Sequence, residues 1–192
     1  MKPTPDLWHK YTADYELITV KDKKGRDVKE ARYIGSYFHV KGSPGAIRTK
    51  LFLTLACGII LTALLVFIQL DTHVTAWTAY VAVPQTVALF PLLYLLMGLT
   101  SLPYKLKPME RPFYMHGIIR ICRCAVAILV LCGVSFAGDF IYRAFTKDWF
   151  FRPEDIRYLI ILGGILLLAV AILVLLNSIE ITERHNPAVS KE

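Results

Sequence analysis

LFLTLACGIILTALLVFIQL, residues 51–70, holds twenty residues without a charge. At 1.5 Å rise per residue a helix of that length is about 30 Å long, the thickness of a bilayer's hydrocarbon core. Three further apolar runs follow, at 77–102, 117–141 and 156–176. The apolar residues make up 55% of the 192, charged residues 19%, and the mean hydropathy is +0.48. A soluble domain carries about 25% charge and spreads its apolar residues more evenly. Clustering into four blocks of spanning length therefore gives the expected fold class: an all-α membrane protein, a bundle of four transmembrane helices with a small N-terminal β-hairpin-like segment. The expected divisions are an N-terminal segment at 1–46, the helical domain at 47–177 and a polar tail at 178–192.

Charge sets the expected orientation. Lys and Arg number eleven in residues 1–50, five in 103–123 and two in the tail, against none in 71–76 and four in 139–157. By the positive-inside rule both termini face the cytoplasm. The same asymmetry accounts for the net charge of +7 through topology and anionic lipid, so no nucleic-acid partner is expected. The charged first fifty residues hold no signal peptide, and residues 51–70 are long enough to remain as an anchor. Neither Lys2 nor the SKE ending suits a lipid attachment. Small size, with neither glycosylation nor retention signals, points to a bacterial plasma membrane.

Within the polar N-terminal segment, YELITV at 15–20 and YIGSYFHV at 33–40 are rich in β-formers, with a charged turn, KDKKGRD, between them. This predicts a hairpin. A helix starting at Asp27, with Glu30 three positions on, competes with it. A lone hairpin is marginal in water, so Tyr15, Tyr33, Tyr37 and Phe38 are expected to pack on something: a protein partner, a second copy or the membrane. Trp8 and Tyr11 suit the lipid interface. KGSPG at 41–45 reads as a linker, and Arg48 and Lys50 as the membrane entrance.

The second run contains Pro84 and Pro91, seven residues apart, with Gln85 beside the first. Each proline removes a backbone donor, making the pair a candidate hinge. Arg120 and Arg123 open the third run on one face. With Arg48 and Lys50 they are the candidate contacts for anionic headgroups or an anionic ligand, or they simply snorkel to the cytoplasm. Asp139 and Arg143 are expected as an i,i+4 pair at the outer face. RPED at 152–155 is a helix start. Gly163, Gly164 and the Gly133/Ala137 pair are expected where helices approach closely.

No nucleophile–base–acid set, phosphate loop or metal spacing is visible. The histidines are scattered, and Cys57, Cys122, Cys124 and Cys132 all fall in or beside apolar runs. No catalytic residue, metal ligand or cofactor is nominated. The expected function is an accessory, scaffolding or regulatory role exercised through protein or lipid contacts, with a transporter containing a bent second helix as the alternative and a membrane enzyme behind it.

Overall fold

The computed structural model describes residues 14–21, 26–70, 75, 78–104, 108–146 and 152–184. Trp8, Tyr11, most of the 21–27 turn and the end of the tail lie outside them. Four helices are long and apolar enough to cross a membrane: Pro44–Gln69, Ala79–Thr100, Arg111–Thr146 and Pro153–Asn177.

The first, α1 (Pro44–Gln69), begins seven residues before its apolar run. Ser43 is the cause: its hydroxyl accepts the Ala46 N–H, and Pro44 already has the helical φ. The expected linker is thus a two-residue turn, with Gly42 at φ +127°, followed by helix. The second span is broken into α2 (Ala79–Val87) and α3 (Leu89–Thr100). Pro91 accounts for the position of the break, because its ring has no N–H for the carbonyl of Val87. Ala88 closes the turn instead, its N–H directed to the carbonyls of Pro84 (3.0 Å) and Gln85 (3.2 Å).

The third span starts at Arg111, earlier than the apolar run suggests, with Pro112 in its first turn. A short α4 (Arg111–Tyr114) passes through a π-turn at Met115–Ile119 into α5 (Arg120–Thr146). Arg120 and Arg123 therefore stand well inside the helix. The fourth span, α6 (Pro153–Asn177), starts as RPED predicts. Pro153 occupies the first helical position, and Asp155 Oδ2 accepts the Arg152 N–H at 3.2 Å.

Buried positions on all four spans step alternately by three and four. They run Leu51, Thr54, Gly58, Leu61, Leu65, Ile68 on α1, and Asp155, Tyr158, Leu162, Ile165, Ala169, Ile172, Leu176 on α6. The same stepping gives Val81, Gln85, Ala88, Leu92, Leu95 and Leu99, and then Ile121, Ala125, Ile128, Cys132, Ser135 and Asp139. This is the seam of a left-handed bundle. In it α6 packs between α1 and α5, and α5 packs against α2 and α3. Close approach occurs at Gly58, Gly98 and Gly138. A Cβ there would lie 2.5 Å from Leu99 Cδ1, 2.6 Å from Ile121 Cγ1 and 3.1 Å from the Tyr80 ring. Gly133 and Gly163, expected in this role, have open space around the Cβ position, and Gly164 makes only ordinary contact with Leu64. They fall off the buried stripes.

Two small sheets lie at one end, hereafter the capped end. β1 (Tyr15–Lys21) pairs antiparallel with β2 (Asp27–Tyr33), Tyr15 opposite Tyr33 and Lys21 opposite Asp27. Residues 27–33 are thus the hairpin's second strand, which removes the alternative helix start at Asp27 and corrects the expected pairing with 33–40. Tyr33 ends that strand, and the rest of the segment forms β3 (Tyr37–Val40). β3 is the centre of the second sheet, between β4 (Met109–Glu110) and β5 (Ile181–Arg184). Part of the expected polar tail is therefore a strand.

Candidate functional site at the two ends of the bundle

At the capped end the four expected contact aromatics are engaged within the chain. The Tyr33 ring lies edge-on to Tyr15 and Tyr37, each with centroids 5.1 Å apart. Its hydroxyl donates to Ser36 O (2.8 Å) and accepts from the Arg111 N–H (3.0 Å). Gly35 leaves room for that hydroxyl, which a Cβ would meet at 2.6 Å. Tyr15 donates to Glu110 Oε2 at 2.6 Å. That bond, with partial burial behind it, pushes the Tyr15 phenol up to about 12, since ionisation would set two anions side by side. Phe38 stacks on Tyr114 with centroids 4.5 Å apart. These rings join the hairpin and β3 to the start of the third span.

The exposed apolar residues of the hairpin are others. Leu17 is 71% exposed, Val28 50% and Val20 38%. Val20 faces Val28 across the ladder, with Ile18 on the same face, and Leu17 lies on the opposite face.

The four expected cations have separate surroundings. Arg48 is exposed on the first turns of α1. Lys50 Nζ donates to Ser178 O at 2.9 Å, a cation at the negative end of α6. Arg120 bonds His116 Nδ1 within the π-turn. Arg123 lines a groove of about 390 Å³ between α5, the end of α6 and β5, together with Asn177, Tyr114 and aliphatic side chains.

The opposite end holds buried charge. Asp139 is 0% exposed, Arg143 2% and Asp155 1%. Asp139 Oδ1 accepts from Thr75 Oγ1 at 2.7 Å and its Oδ2 from Arg143 Nε at 2.9 Å. Arg143 Nη2 lies 3.4 Å from Asp155 Oδ1. One guanidinium thus joins the end of α5 to the start of α6, and Asp139 ties in Thr75 ahead of α2. The expected i,i+4 pair is present, and it is buried because Asp139 falls on the α5 stripe already followed by Ile128, Cys132 and Ser135.

One level deeper, Gln85 Nε2 donates to the Tyr158 hydroxyl at 2.8 Å, and Gln69 Nε2 donates to the Gln85 carbonyl at 3.2 Å. Ser135 Oγ donates to the Val81 carbonyl at 3.0 Å. Side chains from α1 and α6 therefore hold the turn before the break in the second span. The candidate hinge residues Pro84 and Pro91 flank a tied segment.

The four thiols are free, Cys124 and Cys132 buried and Cys57 and Cys122 half-buried. Among the described residues no three His, Cys, Asp or Glu side chains form a group that could hold a metal ion. Sequence reasoning missed Thr75, Glu110, Asp155 as an ion-pair partner, and Tyr158. The stripe spacing was a signal for Asp155 and Tyr158; for Thr75 and Glu110 the sequence carries none. Comparison of the chain with known protein families, with curated proteins and with solved structures finds no match.

Proposed function

We propose that this chain is an accessory or scaffolding component of a membrane, with its capped end in the cytoplasm, acting through a protein partner bound by the β1–β2 hairpin. One observation carries it. Among the described residues β1 and β2 pair only with each other, and they expose Leu17, Val20 and Val28 to solvent. A two-stranded ribbon has little stability alone. Here its base is fixed by the Tyr15–Glu110 and Tyr33–Arg111 bonds, which leaves edges and apolar side chains available to another chain by strand addition. The excess of Lys and Arg on that side supports the orientation.

The break at Ala88 also fits a transporter's interrupted helix. Gln69 and Tyr158 tie that turn, however, and toward the capped end the core is Leu51, Leu95, Leu99, Ile121 and Leu176, with the Thr54 hydroxyl turned back onto its own helix at the Lys50 carbonyl. A conducting path needs polar groups at that depth, so the contact role is preferred.

A photo-crosslinking amino acid at position 17 or 28, in cells expressing the full chain, tests the proposal. A discrete protein adduct is expected, weakened when the other exposed apolar residues are changed (Val20→Thr with Val28→Thr or Leu17→Ser). An adduct of twice the chain's mass identifies the partner as a second copy. Only lipid adducts, or none, would reject the hairpin as a docking element.

A further inference from the structure

We infer that the groove at the junction of α5, α6 and β5 binds an anionic glycerophospholipid of the surrounding leaflet, with Arg123 on the lipid phosphate. The groove's volume, about 390 Å³, is that of an ordinary small-ligand cleft. Ile118, Ile119, Leu176 and Ile179 form its apolar wall, while Arg123 and Asn177 supply donors. A guanidinium matches phosphate with two parallel N–H bonds, and the aliphatic wall suits the glycerol and first acyl carbons. A soluble anion would have no use for that wall.

Its height in the bundle argues the same way. Asn177 is the last residue of α6, so the groove opens where the helix leaves its apolar stretch, the level of headgroups. Two of its aliphatic residues belong to the π-turn Met115–Ile119. Such a turn inserts an extra residue, shifts the helix face and recurs at functional sites. Gly117 pins this one, since a Cβ there would lie 3.0 Å from the Ser101 carbonyl oxygen. Arg120 is held by His116, so Arg123 is the arginine that lines the groove. Lys50, on the other side of the α6 terminus, bonds Ser178 O and adds positive charge nearby. Glu180 stands exposed between Ile179 and Ile181, and Glu183 follows, also exposed, on β5. The inference rests on the groove alone and stands whether or not the hairpin has a partner.

Native mass spectrometry of the full chain in a mild detergent tests it, with phosphatidylglycerol and phosphatidylcholine of equal acyl chains as probes. Wild type should retain phosphatidylglycerol preferentially. Arg123→Gln should lower that preference roughly tenfold, the order expected for losing a charge-assisted hydrogen bond. Arg48→Gln, an exposed arginine outside the groove, should leave it unchanged. Cys122→Trp, which keeps the arginine but fills the groove, should also lower it. Equal retention of the two lipids, or a preference that survives both groove variants, would overturn the inference. So would competition by inorganic phosphate as effective as that by the lipid, since the site would then recognise a soluble anion.

Discussion

Arg143 reaches Asp139 one turn back on its own helix and Asp155 at the start of the next. Both carboxylates are shielded from water, so their charges depend on that guanidinium and on the donors Thr75 and the Arg152 amide. Removing one partner from a buried ion pair leaves an uncompensated charge and costs about 3–5 kcal/mol. Arg143→Met should therefore lower the thermal unfolding midpoint markedly in detergent. Adding Asp139→Asn and Asp155→Asn should restore much of the loss, because the neutral amides no longer need the cation. An Arg143→Met protein that melts like wild type would mean that water reaches the cluster.

The second span shows a local rule and a tertiary one acting on a single helix. Pro91 withholds a donor from Val87 and sets the break at Ala88. The turn just before the break is tied from outside, by the Gln69 side chain on the Gln85 carbonyl. Gln69→Leu should then cost of the order of 0.5–1.5 kcal/mol, the usual net worth of one hydrogen bond. In a Pro91→Ala background, where Val87 regains its helical donor and the break at Ala88 can close, the Leu89 N–H can reach the Gln85 carbonyl and the same substitution should cost less. A double-mutant cycle read by thermal or denaturant unfolding would give the coupling, expected above about 0.5 kcal/mol for neighbours sharing one network. Strict additivity would show that Gln69 does not serve the break.

For the whole molecule, the arrangement of the capped end follows from β3 and β5 meeting. β3 is held on one side by the connection between the second and third spans and on the other by the C-terminal strand. Lys41 N–H donates to Glu180 O at 2.9 Å, closing the first helix's approach against the last helix's exit. In the proposed orientation the hairpin, β3 and β5 share the cytoplasmic side. In a variant lacking the four native cysteines, Thr146→Cys should react with an impermeant maleimide in intact cells, and Thr19→Cys only after permeabilisation. Both positions are exposed, so the reverse pattern would invert the proposed orientation.

Four spans, the start of the last helix at RPED and the proline-induced bend of the second were legible in the residues themselves. Each depends on interactions within a few turns: an unbroken apolar length long enough to cross a bilayer, a proline's missing N–H, an acid near a helix start. The spacing that puts Asp139 and Gln85 inward was present in the residues as well, although the sequence reading of Asp139 rested on its i,i+4 partner alone. Partner identity was not. Tyr15 meets Glu110 across 95 residues, Thr75 meets Asp139 across 64, and His39 lies opposite Thr182. No local preference encodes such pairs. A short strand such as ITER at 181–184 has no fixed partner until the bundle brings β3 beside it, and a carboxylate is buried only when a cation arrives from elsewhere in the chain. Local composition and spacing were enough to say how the chain could traverse a membrane. Tertiary structure decided which polar groups were withdrawn from water, because desolvation is tolerated only where the partner is already in place.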